Sequence, residues 1–455
     1  MQRTRVRRAG ALLVGLSLLA TACGDDKEAT STTAAETTVP SETTGAVDTT
    51  APATGNGELA GMKGTTPLPP DLAQEFKDQI LTTPSGAGLT DFNYAAETYD
   101  AVVLMALAAE AAKTDGIEYA SFIVDVSTGG EKCTDFVACR DLLAAGTDID
   151  YDGVSGPNDL NGNGEPLAGT YGVLQFGADN RIDDAATTNV SAESPASAVV
   201  AESAVEGARA GDGVFTIGGL LPQTGSLAFL GNPMFAGAEL AVADINAAGG
   251  VLGQEMVYSA GDSGDTSTDL ANQTTDRFLA ENVDGIVGPA SSGVALTVID
   301  KIAAAGVVLF SPANTSPALS TYPAQGLYFR NAPPDPLQGV VLAALVVGDG
   351  NQSVWILGLD DAYGNGLADV IEAALTEAGV EVLGKTIYDP AAASFDTEVG
   401  EVAAADPDAI VLITFDEGAR ILKTMVELGI GPSTKAVYGC DGNMGNALGE
   451  AFDAA

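Results

Sequence analysis

From Val214 onward the chain repeats one pattern: a short β-branched or apolar run, then a longer stretch with apolar residues at helical spacing. Val214–Gly218, Met256–Ser259, Gly285–Val287 and Val307–Phe310 read as strands, and Ser353–Leu359, Glu381–Ile387 and Ala409–Thr414 continue the series. Phe235, Ala238, Val242 and Ile245 recur at helical spacing between the first two strands, and Gly249-Gly250 stops that helix. Strands and helices alternating over such a length form parallel sheets covered by helices on both faces, an α/β class. Gly339–Gly348 is the most apolar later stretch, and it has the length of a core helix, not of a membrane span.

The alternation falls into two blocks. One covers 214–332 and the other 333–455, with the proline-dense crossing Arg330–Pro336 between them. Two α/β lobes joined by short crossings enclose a cleft, the favoured place for a small-molecule site. Composition narrows what that cleft does. The 455 residues are 46% hydrophobic, enough for sizeable cores, and carry 62 acids against 19 bases, a net charge of −43, with no histidine. Little in such a chain could neutralise a run of phosphates, so nucleic acid is excluded as a partner. The excess acid suits solubility or a saline habitat. Without histidine there is no Ser-His-Asp or Cys-His catalysis, and the commonest metal ligand is missing. Four scattered cysteines do not make a Cys₄ zinc site. No cofactor or metal is expected, and no enzymatic activity.

The amino terminus reads as an export signal. Arg3, Arg5, Arg7 and Arg8 precede an uncharged, mostly apolar run, Ala9–Ala22, of 14 residues that ends in small side chains. Cys23 follows directly. The pattern resembles the bacterial lipobox, with Ala20 where leucine is most usual, and implies cleavage before Cys23 and lipidation of its thiol. Residues 23–58 are rich in Thr, Ala, Ser, Glu and Gly and read as a disordered tether. In an exported protein Cys133 and Cys139, six apart, are expected to close a small disulfide loop. Cys440 is left over and reads as a buried small hydrophobe near a pocket.

The second block ends in a helix, Asn443–Ala455, with no strand after it, whereas the body opens at Leu59–Thr65 with a strand that no helix precedes. Leu104–Ala112 lies on a long helix, and Thr170–Phe176 reads as a strand. The missing last strand of the second block is thus a candidate for the first strand of the body. Family motifs point the same way. Thr216–Gly225 (TIGGLLPQTG), Val242–Gly250, Val287–Ser292 and Phe310–Pro317 resemble the opening strand and first ligand loops of type I periplasmic binding proteins, leucine/isoleucine/valine-binding branch. Asp361–Gly366 resembles the first ligand loop of that family's second lobe. Gly61–Pro67, Tyr94–Ala101 and Asp150–Phe176 resemble its carboxy-terminal third. The resemblance therefore implies a circular permutant, in family order 214–455 followed by 59–190. Residues 59–66 become the last strand of lobe two, 67–155 part of lobe one, 156–190 the terminal segment of lobe two, and 191–213 a linker. A flexible chain of that length spans about 25 Å, and new ends succeed in exposed loops. A fusion of two incomplete pieces is the rival explanation.

The resemblance also implies a ligand site. Ser291 and Ser292 open a helix whose free N–H groups suit a carboxylate, and Thr315 opens another. Positions matching Ser292, Ala313 and Thr315 hold a ligand's α-carboxylate and amine; helix capping is a compatible role for the hydroxyls. Tyr363, Phe415 and Asp441 match positions that close over the ligand. Asp441, where the family often has glutamate, would pair with an ammonium, its other reading being a solvated loop acid. Phe415 replaces a commoner tyrosine, and Leu230 an aromatic residue, which favours an apolar ligand. Asp159–Gly164 resembles the start of a calcium loop, but Thr170 stands where the closing glutamate belongs, so a polar hairpin turn is the better reading. The glycines near Gly218 do not form a dinucleotide fingerprint. The function implied is the lipid-anchored receptor of an ABC importer. It would be a monomer that binds a small amino acid, of branched-chain type or a related amide or carboxylate, and docks on a membrane permease; a sensor on the same fold is the alternative.

Overall fold

The computed structural model describes residues 57–69, 72–194, 205 and 207–454. The signal, Cys23, nearly all of the tether and part of the linker lie outside the described residues. The front segment holds β1 (Lys63–Pro67), α1 (Gln74–Ile80), α2 (Ala95–Ala112), β2 (Glu131–Cys133), α3 (Phe136–Ala144), β3 (Ile149–Gly153), β4 (Gly156–Pro157), β5 (Ala168–Gln175) and β6 (Thr188–Glu193). After it come β7 (Thr216–Leu221), α4 (Ala228–Ala247), β8 (Val257–Asp262), α5 (Leu270–Ala280), β9 (Gly285–Val287), α6 (Ser292–Ala304), β10 (Val308–Ser311), β11 (Tyr328–Arg330) and α7 (Asp335–Gly348). The last stretch holds β12 (Ser353–Leu359), α8 (Ala362–Glu377), β13 (Glu381–Tyr388), α9 (Asp396–Ala405), β14 (Ala409–Ile413), α10 (Gly418–Glu427), β15 (Ala436–Gly439) and α11 (Asn446–Ala454).

Lobe one is built on a parallel sheet of order β11-β10-β9-β7-β8, and lobe two on a seven-stranded sheet of order β13-β12-β14-β15-β1-β5-β6. Strands covered on both faces read as continuous apolar runs, and all five residues of β14, Ala-Ile-Val-Leu-Ile, are buried. Gly249 and Gly250 end α4 at φ +106° and +78°, backbone that a side chain would resist. β6 runs to Glu193, into the range read as linker. A third sheet, β2-β3-β4, is small, and beside it the Cys133–Cys139 disulfide holds Cα atoms 5.3 Å apart.

The front segment is not an appendage. β1 pairs in parallel with β15, Lys63 against Tyr438 and Gly64 against Gly439, while its other edge pairs antiparallel with β5. The glycines make this junction possible: a Cβ on Gly64 would lie 2.5 Å from the Gly439 carbonyl oxygen and against Met444. Gln338 Nε2 of α7 donates to the Thr65 carbonyl at 3.0 Å. Leu59, Met62, Leu174 and Phe176 bury themselves in the same core as Ile356, Val411 and Tyr438. In lobe one, α2 is buried along its length from Ala95 to Ala109, as a central helix must be. It packs on α4, where Gly237 presents no side chain to the Ala95 carbonyl; a Cβ there would sit 2.2 Å from that oxygen.

The chain passes between lobes after β1, before β5, between β6 and β7, and after β11. Arg330 and Glu165 tie two of these passages together. Arg330 is fully buried, pairs with the Glu165 carboxylate, and donates to the Ser316 carbonyl at 2.9 Å and the Ser320 hydroxyl at 2.7 Å. The hinge crossing read from its prolines is thus also a charged anchor for the loop after β10. The segment before Glu165 is a turn: Gly164 donates to the Asn161 carbonyl at 2.8 Å, and Leu160 bridges Pro166.

Candidate functional site

The carboxyl ends of β9, β10, β12, β14 and β15 face one another across the lobes, and the loops that follow them carry the polar side chains. Ser291 caps α6, its Oγ accepting from Val294 N at 3.2 Å. The loop after β10 is held by Ser311, whose Oγ accepts from Ala313 N at 3.2 Å and Asn314 N at 2.9 Å. Asn314 Nδ2 reaches the carbonyls of Pro289 and Ala290 at 3.0 and 2.8 Å, which locks the β9 and β10 loops together. Ser316 N donates to Ser292 Oγ at 3.3 Å, and Ser316 Oγ crosses to the Ala362 carbonyl of lobe two at 2.6 Å.

On lobe two Asp361 caps α8 by accepting from Gly364 N at 2.7 Å, and this places Tyr363 on the first turn of the helix. The Tyr363 hydroxyl donates to Asp441 Oδ1 at 2.8 Å, and its ring stacks on Phe415 with centroids 5.5 Å apart and planes 9° from parallel. The Tyr94 hydroxyl donates to Asp441 Oδ2, also at 2.8 Å. Both carboxylate oxygens of Asp441 thus accept tyrosyl protons, one from each lobe, and the residue is 5% exposed. The solvated-acid alternative is excluded. Burial raises the pKa of Asp441, and the two tyrosyl bonds oppose that rise. Asp335 is fully buried nearby, its two carboxylate oxygens without a hydrogen-bond partner among the described residues. Burial and the Asp441 charge push its pKa well above the usual carboxylate range. Cys440 is buried, and its thiol is pushed up by burial and by Asp441, so it stays protonated and unreactive.

Ser291, Ser292, Ala313, Thr315, Tyr363, Phe415, Asp441 and Leu230 all line one cavity of about 20 Å³. Tyr94, Leu227, Ala290 and Gly442 complete it. Sequence reasoning missed these four. The backbone of Tyr94 is left-handed at φ +62°, and no propensity signals where such a residue aims its side chain. A larger hollow of about 500 Å³ lies between Ala120–Val124 and Leu319–Phe329 and shares no residue with this cavity.

The sequence profile described as "Periplasmic binding protein" matches residues 214–454, more than half of the chain. A second, "Receptor family ligand binding region", matches residues 30–179. The Leu/Ile/Val-binding protein BraC3 of Rhizobium johnstonii is 34% identical over 169 residues, 36% of this chain and 45% of that protein. The chemotactic signal transduction system substrate-binding protein BasB of Halobacterium salinarum is 31% identical over 206 residues, 44% of this chain and 49% of that protein. The chain spans about half the length of these curated relatives. The branched-chain amino acid transporter substrate binding protein LivJ of Streptococcus pneumoniae, solved with isoleucine, aligns at TM-score 0.47 and 27% identity, over 52% of this chain and 67% of that one.

Proposed function

Because the chain belongs to the periplasmic binding protein family, we propose that it is the extracytoplasmic substrate-binding lipoprotein of an ABC importer. Its solute is a small amino acid of branched-chain type, or a related amide or carboxylate, held between the lobes and handed to a membrane permease. The observation that carries this reading is that Ser292 and Thr315 on one lobe and the Asp441 carboxylate on the other face a single cavity. The start of α6 and the two hydroxyls take the solute's carboxylate, and Asp441 pairs with its ammonium. Leu230, Ala313 and the Tyr363–Phe415 stack wall the side chain. No bond is made or broken. A cavity of about 20 Å³ has room for about one water. The lobes must therefore part to admit an amino acid and close on it by hinge motion. Lipidation at Cys23 belongs to the same proposal and rests on the amino-terminal pattern alone.

The body is, in this reading, a circular permutant of the family, with order 214–455 followed by 59–190. Two observations support it: β1 lies parallel beside β15 in one sheet, and matches that follow chain order cover only about half of the relatives. A second reading, a ligand sensor for a signalling receptor, is favoured by the likeness to a chemotactic substrate-binding protein. The two share the cleft and differ in partner, so co-purification of the liganded protein with a permease or with a receptor separates them. Thermal unfolding against a panel of amino acids, amides and small carboxylates tests the common core. A ligand that binds only the native state at a hundred times its Kd stabilises by about 2.7 kcal/mol and raises Tm. A panel in which nothing shifts Tm contradicts the reading.

A further inference from the structure

Asp335 opens α7 at a crossing between the lobes. Pro334 and Pro336 restrict the backbone on either side of it, and its N–H donates to the Thr315 carbonyl at 2.8 Å. Thr315 and Asp441 both line the small cavity, so Asp335 stands behind the wall that meets the solute's charged groups. Its surroundings offer a negative charge nothing to bond. Both its carboxylate oxygens lack hydrogen-bond partners among the described residues, and so do the Tyr171 hydroxyl and Gln338 Oε1. Gln338 lies one turn along the same helix with its amide nitrogen turned to Thr65, and Tyr171 packs in one cluster with Leu337 of that turn. The titratable and charged groups within electrostatic reach of Asp335 are Asp441 and Cys440 after β15, Asp361 and Tyr363 at the start of α8, Tyr171 of β5 and Arg330 of β11. Arg330 is the one cation among these, and it is already paired with Glu165. The strands β1 and β6 meet this turn with uncharged side chains, Thr65 on Gln338 and Ala192 in the cluster with Leu337, while Lys63 of β1 is held at the far end of α7 by Asp349.

We propose that Asp335 is a second acid of the solute site, protonated while the cleft is empty and ionised once the solute's ammonium lies beside Asp441. The inference rests on the amino-acid reading above and deepens it. Two buried carboxylates with no free cation between them do not both ionise. Asp441, held by two tyrosyl hydroxyls, keeps the charge, and Asp335, which has no donor, keeps the proton. A proton is also the counter-charge that needs no room, and Asp335 lines neither of the hollows described above. The arriving ammonium cancels the repulsion from Asp441, and the positive end of the α7 dipole favours the ionised carboxylate. The O–H bond of Asp335 then breaks and its proton passes to solvent, one released for each solute bound. Asp335 acts through Asp441 without touching the solute. It is a positioning residue that sets the charge the ammonium meets.

Calorimetric titration of the purified mature protein with leucine, isoleucine and valine, in phosphate and in Tris at equal pH, counts the protons. The two buffers take up a proton with different heats, so the difference between the apparent binding enthalpies gives the number released. Release of about half a proton or more per solute is expected at some pH between about 6 and 9, with Kd falling as pH rises there by up to about tenfold per unit. Asp335→Asn is neutral at every pH and is expected to release no proton and to bind with a Kd that no longer follows pH. Asp335→Ser, smaller and equally neutral, gives the same reading if the amide disturbs folding. Equal heats in both buffers throughout this range overturn the inference and leave the amino-acid reading standing. A proton count that the neutral variants leave unchanged also overturns it, because another acid then supplies the proton. If none of the three amino acids binds, the branched-chain reading falls and this inference falls with it.

Discussion

Asp441→Asn separates binding from folding. In the native protein the two tyrosyl hydroxyls of Tyr94 and Tyr363 each donate to this carboxylate at 2.8 Å. Hydrogen bonds to a charged group contribute about 1.5–3 kcal/mol each, and neutral ones about 0.5–1.5 kcal/mol. The amide keeps one acceptor oxygen, so one bond is lost and the other weakened. Against this, the amide removes the cost of burying a charge, which is what raises the Asp441 pKa. The two effects oppose each other, and Tm is expected to move by only a few degrees. For the ligand there is no such compensation. Its ammonium loses a buried charged partner, a change that costs about 2–5 kcal/mol, or about thirty-fold to several thousand-fold in Kd. Calorimetric titration with the ligand found by thermal screening, paired with urea unfolding, reads both quantities. Unchanged affinity in a folded variant refutes the assignment of Asp441 to the ammonium. A fall in stability as large as the fall in affinity shows instead that the residue holds the lobe together.

Glu165→Ala strands the fully buried Arg330 charge and is expected to cost about 3–5 kcal/mol. Urea unfolding reads the loss directly, and a midpoint within error of the parent contradicts it. Gly237→Val drives a side chain into the Ala95 carbonyl, 2.2 Å from the ideal Cβ, and is expected to destabilise by about 1–3 kcal/mol or more; a neutral effect means that α2 does not lie on α4 as described. The pH dependence has a definite sign. Burial raises Glu97 to about 8 and Asp284 and Asp361 to about 6. The native state therefore holds protons that the unfolded chain releases from its ordinary carboxylates, and stability grows as pH falls from about 8 toward 5. Tm measured at pH 8, 7 and 5.5 is expected to rise in that order, and the reverse order rejects the assignment.

Some of this structure is legible in the residues and some is not. The apolar run Ala409–Ile413 and the stop at Gly249-Gly250 are local signals, and the strands and helix end lie where they point. The edges of β1 are harder. Leu59–Met62 are apolar and read as strand, but Met62 N bonds to the Leu59 carbonyl at 2.9 Å in a turn, and the ladder begins at Lys63. Apolar side chains enter a core equally well from a turn. The eight candidate site residues lie near strand ends and helix starts; Ser291, Ser292, Thr315 and Asp441 carry the polar marks of such positions, whereas Leu230, Ala313, Tyr363 and Phe415 are legible only through the family resemblance. Tyr94 escaped because its role depends on a left-handed backbone and on a partner, Asp441, far away in sequence. The close approaches at Gly64 and Gly237 were equally hidden, since nothing in a glycine says which backbone it will meet. That Arg330 is a buried anchor, and not an exposed hinge charge, depends on Glu165 arriving from the front segment.

The front segment's place in lobe two is tested most directly by hydrogen exchange in a peptide covering Met62–Leu68. β1 lies between β15 and β5, with both edges bonded. Its amides are therefore expected to exchange as slowly as those of β14, through global unfolding only. Exchange of that peptide at the rate of an unstructured segment, with β14 still protected, would show that lobe two is complete without it.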